Sequence, residues 1–159
     1  MQDDEAKRLF IGEKYPYYAQ KWGASEQTKS KPTWNWAAFF LGFGWMVYRK
    51  MYKYAAIFVA VVAFETFLEY LFNAPESLSR AVTIAIAVTF GWQGNTLYKM
   101  HVDKKVQEIT GTLPPEPAAK ELVSQGGTHW PIAVGAVVLV IALILLVTFA
   151  MEPEALQAL

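Results

Sequence analysis

The sequence predicts an all-α integral membrane protein: a short re-entrant or interfacial helix, a transmembrane helical hairpin and a separate C-terminal transmembrane helix. Three observations point there. Hydrophobic residues make up 54% of the chain and charged residues 18%, against about 25% charged in an average soluble domain. The apolar residues fall in blocks rather than in a helical stripe. Lys and Arg gather beside some blocks and avoid others.

The clearest block is 130–151, from Trp130 and Pro131 to Met151, without a charge. At 1.5 Å per residue it reaches about 33 Å, enough for a hydrocarbon core of about 30 Å. Pro131 suits a first helical turn, where its missing N–H costs nothing. Blocks 54–72 and 81–98 sit at the short limit for spanning. The turn from Asn73 to Arg80, broken by Pro75, joins them as a hairpin. Block 34–48 would extend only about 22 Å as a helix, with Gly42 and Gly44 at its middle. Trp34, Trp36, Trp45 and Tyr48 bracket it as candidate interfacial anchors, with Arg49 and Lys50 following. It reads as re-entrant or interfacial, with a short tilted span as the alternative.

Arg49, Lys50 and Lys53 follow that block, and Lys99, Lys104 and Lys105 follow 81–98. The N-terminal stretch adds Lys7, Arg8, Lys14, Lys21, Lys29 and Lys31, whereas the final tail carries Glu152 and Glu154 and no base. The rule that cytoplasmic flanks are basic predicts a cytoplasmic N-terminus and a periplasmic or extracellular C-terminus. With both flanks inside, block 34–48 would not cross. A cleavable leader is not expected, because the first apolar block begins at Trp34.

Residues 1–33 read as a cytoplasmic amphipathic cap and linker: a helix from Asp3 to Ile11, a break at Gly12, and a second helix stopped by Gly23. The cap either lies on the membrane surface or docks a partner. Residues 99–110 extend the third apolar helix into the cytoplasm. Residues 111–129 read as a polar Pro/Gly linker that tethers the last span loosely, and 152–159 as a tail.

The absence of cysteine removes disulfides, thiolate chemistry and iron–sulfur ligation. His101 and His129 are the only histidines, so no metal or other cofactor is expected. Lys and Arg total 14 against 14 Asp and Glu, which gives no reason to expect nucleic acid. The candidate intramembrane polar site is Glu65, Glu69, Arg80, Gln93, Asn95 and His101. Glu65 and Glu69 share a helix face, and acids in a span usually face a partner, a cavity or a pore. Glu69 is expected to pair with Arg80. Gln93, Asn95 and His101 are expected to bond between helices. His129 is expected to be solvated.

The run Trp34-Asn35-Trp36-Ala37-Ala38-Phe39-Phe40, then Gly42, Trp45 and Tyr48-Arg49-Lys50-Met51-Tyr52, resembles the family known as domain of unknown function 2628. So do Phe10-Ile11-Gly12 with Tyr17-Tyr18, and Gly94-Asn95 with Tyr98 and His101-Val102; the likeness spans about residues 8–110. Phe43 stands where that family often has Pro, and the last apolar block is extra. The resemblance implies a small bacterial inner-membrane protein and supplies no activity. A zinc ribbon, found in some relatives, is impossible without cysteine. The expected function is a non-enzymatic membrane scaffold or interaction subunit with a membrane protein partner or a second copy. The alternative is an oligomeric transporter or channel component using Glu65 and Glu69. A lipid-modifying enzyme finds no nucleophile–base pair or metal constellation to support it.

Overall fold

The computed structural model describes residues 1–27 and 33–151; the expected tail 152–159 and residues 28–32 of the linker lie outside them. The described residues form α-helices joined by turns, with no strand. In order they are α1 (Asp3–Ile11), α2 (Tyr15–Gln27), α3 (Trp36–Leu41), α4 (Phe43–Tyr48), α5 (Tyr52–Phe72), α6 (Glu76–Thr112), α7 (Pro115–Gln125) and α8 (Trp130–Met151). A 3-10 turn, Gly12–Lys14, joins α1 to α2.

Helix α6 is the spine. Its 37 residues extend about 55 Å, so the third apolar block and its expected extension are one continuous element. Its buried residues all lie from near its middle onward: Gly91, Gly94, Asn95, Tyr98, His101, Val102, Val106 and Ile109. They recur every three or four positions and form one stripe. The upper part of that stripe receives α3, and the lower part receives α1, α2 and α7.

Block 34–48 is two short helices broken at Gly42, whose φ of 37° is open to glycine and strained for other residues. Asn35 caps α3 by accepting from the Ala38 N–H. The start of α3 lies beside Asn95, and Gly42 faces Phe58. Phe58 in turn meets the Phe90 ring at 4.8 Å. That level is about 8 Å along α6 from Asn95. Helix α4 then returns, and Arg49 at its end lies against the Tyr98 ring. Both ends of the block therefore lie at the same end of the molecule.

Helices α5 and α6 are joined by a tight turn, with Asn73 left-handed and Ala74 N–H bonded to Glu69 O at 3.0 Å. They share little backbone packing beyond it, unlike a closed hairpin. Among the described residues, two helices are long and apolar enough to cross a membrane: α5, and the C-terminal helix within Pro115–Leu146. Helix α6, with Gln93 and Asn95 among its apolar residues, is not one of them.

The structure corrects three expectations. Residues 111–129 are not an extended linker, because 115–125 form α7. Its prolines at 115 and 117 sit in the first turn, where a proline N–H is not needed, and start the helix instead of preventing it. Ala118 and Leu122, one turn apart, are buried against α1. Helix α8 is not a loose anchor. The His129 N–H bonds Tyr48 O at 2.9 Å, and α8 then packs along α4. A Cβ on Gly44 would lie 3.0 Å from Val137, so the glycine permits this close approach. The N-terminal cap does not turn its apolar face outward, since Ala6, Phe10, Ile11, Tyr18 and Trp22 are buried against α6 and α7.

Helices α3 and α6 approach each other closely. A Cβ on Gly94 would come within 2.6 Å of the Ala38 Cβ, and one on Gly91 within 2.8 Å of the Trp34 ring. Gly94→Ala should therefore cost about 1–3 kcal/mol. Gly111→Ala meets nothing within 4 Å and should stabilise slightly. Thermal melts of both variants in detergent check the contrast.

Candidate functional site

The polar and aromatic residues converge where α3, α4 and the N-terminal helices meet the middle of α6. Asn95 is fully used. Its Oδ1 accepts from Asn35 Nδ2 at 2.9 Å, and its Nδ2 donates to the Thr33 carbonyl at 3.0 Å and hydroxyl at 2.9 Å. Its backbone oxygen accepts from the Trp22 indole at 3.0 Å. Asn35 N–H donates to Gly91 O at 2.7 Å. The interhelical role expected for Asn95 is what the structure shows, and it joins three segments rather than two.

Below Asn95, Tyr98 is enclosed by rings. Tyr18, Trp22, Trp45 and His101 have centroids 4.6, 6.1, 6.1 and 6.4 Å away. His101 also meets Phe10 and Tyr54, both at 5.9 Å. Burial in this apolar nest, helped by Lys105, pushes His101 down to about 4. Burial also holds the Tyr18 phenol above its ordinary range.

Arg49 lies among the same rings, 4.8 Å from the Tyr18 centroid, 5.4 Å from Tyr48 and 5.3 Å from Tyr98. It is 5% exposed, and Trp45 2%. Both were expected as interfacial anchors; both belong to the protein core, because Tyr98 of α6 packs against Trp45 and Arg49, and Tyr18 of α2 against Arg49. Trp36 is exposed, and Trp34 and Tyr48 are half-buried. Lys50 donates to Ser124 O at 2.9 Å, a cation on the last turn of α7. His129 is half-buried, and its Nδ1 accepts from the Ile132 N–H at 3.4 Å at the start of α8. It caps the start of α8 while remaining partly exposed.

The other expected site residues do not join this cluster. Gln93 is exposed. Arg80 pairs with Glu76 at 2.6 Å, not with Glu69, because both stand on the first turns of α6. Glu65 and Glu69 approach each other on α5. Glu65 lines a separate cavity of about 350 Å³ between the α3–α4 bend and the outer parts of α5 and α6.

An ion-pair chain ties α1 to α6. Lys7 bridges Asp3 at 2.7 Å and Asp103 at 2.9 Å, and Lys99 reaches Asp103 at 3.0 Å. Burial pulls the Lys7 ammonium down, but its two carboxylates outweigh that and raise it. Burial pushes Asp103 up, but Lys7 and Lys99 hold it below the usual carboxylate range. Sequence reasoning missed Tyr18, Trp22 and Tyr98 as members of one cluster, and Lys7 as the partner of Asp103. Their contacts span more than seventy residues of chain, and no local period marks them.

A family model described as "Protein of unknown function (DUF2628)" matches residues 3–104. The chain belongs to that family. The match takes in α1 to α5 and most of α6, so the polar and aromatic cluster falls within it, whereas α7 and α8 lie beyond. Comparisons with curated proteins and with solved structures found no match.

In this DUF2628 member, Asn95→Ala would leave the buried Asn35 amide without its partner. The expected loss is about 3 kcal/mol, read from thermal or denaturant melts. His101 gives a pH signature. Folded, it stays neutral down to about 4, whereas unfolded it protonates below 6.5. Stability should be full above pH 6.5 and fall as pH drops toward 4, by at most about 3 kcal/mol. His101→Phe should flatten that part of the profile in melts between pH 7 and pH 5.

Proposed function

We propose that the chain is an integral protein of the bacterial inner membrane and works as a non-enzymatic scaffold or interaction subunit, with its packed helical head in the cytoplasm. One observation carries the membrane part. Helices α5 and α8 hold most of their large apolar residues outward, including Ile57, Val61, Phe64, Phe67, Val138 and Leu146. The head, in contrast, buries its apolar residues normally. Each such side chain costs about 1.5–3 kcal/mol in water, so a sheath of them calls for lipid. Lys50, Lys53, Lys104 and Lys105 gather around one cavity beside His101 at the head end. The tendency of Lys and Arg to stay cytoplasmic supports a head facing inward. In this frame the α3–α4 element enters from the head side and returns to it.

The scaffold reading draws on the open side between α5 and α6, a cavity of about 450 Å³ lined by Ile57, Val61, Val82, Ile86 and Phe90. A helix of a partner membrane protein, or of a second copy, would pack there. The second reading is a transporter or channel component, favoured by the Glu65-lined cavity, which also contains Thr83. A chain with this little enclosed volume would need an oligomer for it.

The absence of native cysteine permits a direct test. The chain should stay with membranes under alkaline carbonate. In the proposed topology the uncharged stretch 81–98 of α6 returns beside α5 through the bilayer. Ser77→Cys, at the α5–α6 turn, should therefore react with an impermeant maleimide in intact cells, and Lys120→Cys, on α7, only after lysis. The reverse labelling would invert the orientation, and release by carbonate would remove the membrane reading. Recovery of one stoichiometric membrane partner supports the scaffold. An oligomer with an ion-dependent phenotype lost in Glu65→Gln supports transport.

A further inference from the structure

Arg49 is 5% exposed, and among the described residues its Nε and one terminal nitrogen have no hydrogen-bond partner, nor does the Tyr98 hydroxyl beside it. The three tyrosine rings around the guanidinium attract a cation through their faces and offer it only neutral phenol oxygens, with no counter-charge. A guanidinium cannot shed its charge, and a buried charge calls for a counter-charge. The cavity it lines, about 360 Å³, also holds Lys14 and Tyr17, with no carboxylate among its described lining residues. It is thus a site of two cations with no anion of its own, and the planar donor pattern of Arg suits phosphate oxygens.

A second cavity adjoins it. The groove between the α3–α4 element and α8, about 460 Å³, is lined by Phe40, Val134, Val137 and Val138, and Leu41 and Tyr48 line both cavities. Each volume lies in the range of about 300–1,000 Å³ usual for small-ligand sites. A cationic, aromatic compartment opening beside an apolar one matches a molecule with a charged head and a hydrocarbon tail.

We propose that this DUF2628 chain binds an anionic phospholipid, its phosphate on Arg49 and Lys14 and an acyl chain in the groove against α8. A free phosphate shares the head chemistry; the groove is what selects the lipid. Taking a lipid as the source rests on the membrane reading above. The extra C-terminal helix then has a defined job, since it supplies one wall of the tail compartment.

The test uses the full chain in a neutral maltoside detergent. It is titrated with dioctanoyl phosphatidylglycerol, dioctanoyl phosphatidylcholine and sodium phosphate, with Tm as the readout. Phosphatidylglycerol should raise Tm saturably, and the other two should not. Arg49→Gln should abolish the response. Lys14 is exposed and spares the fold, and Lys14→Gln should raise the midpoint about five-fold. An unchanged midpoint in Lys14→Gln overturns the site, as does an equal response to phosphatidylcholine. An equal response to sodium phosphate overturns the lipid in favour of a soluble anion. The two readings fail separately: carbonate release removes the membrane, whereas a membrane-retained chain without a saturable response removes this site alone.

Discussion

The contact between Asn35 and Asn95 holds the rest in place. A chain that breaks its helix twice, before Trp36 and at Gly42, frees backbone groups that need partners wherever water is scarce. Asn35 answers the start of α3, Asn95 answers Asn35 and Thr33, and Gly91 supplies a carbonyl. Two glycines on α6 let the backbones approach closely enough for those bonds to form. With α3 seated, the bend at Gly42 brings α4 back, and α4 becomes the surface on which α5 and α8 are hung.

The same junction connects the head to the apolar helices. Three backbone or capping bonds gather the C-terminal third onto it: Lys50 to the end of α7, Gly127 N–H to Phe10 O, and His129 N–H to Tyr48 O. Each is a single hydrogen bond of modest net worth, about 1 kcal/mol. Together they turn α7 and α8 into walls of the structure. Gly126 lies so close to Phe10 O that a side chain there would collide with the backbone. Charge follows the same division. The Asp3–Lys7–Asp103–Lys99 chain is partly solvated and self-neutralising, whereas Arg49 is enclosed among rings with no acid among the described residues that line its cavity.

Much of the element order was legible beforehand. The break at Gly12, the short block 34–48, the turn at Asn73–Pro75 and the uncharged last helix each carry a local signal of length, glycine, proline or charge. Asn95 was legible as a bonding residue because a polar side chain among apolar neighbours seeks a partner. Arg49 and Trp45 were read as interface anchors because aromatic and basic residues at the end of an apolar run most often mark one. Nothing local says that Tyr18 on α2 and Tyr98 on α6 will cover them. The prolines of 114–117 carried an ambiguous signal, since the same residue ends an extended segment or starts a helix, and the apolar pair Ala118 and Leu122 settles it only once α1 is present to receive them.

By itself, then, the sequence determined the helical class, the unbroken apolar lengths of α5 and α8, and the places where the chain must turn. These depend on rise per residue, on backbone freedom and on the solvation of single side chains, all of which act over a few residues. Only the tertiary structure decided that α8 joins the core, that Arg80 goes to Glu76, and that an arginine ends among tyrosines. Those outcomes depend on which surfaces meet across the chain, and the balance between desolvation and new contacts exists only after they have met.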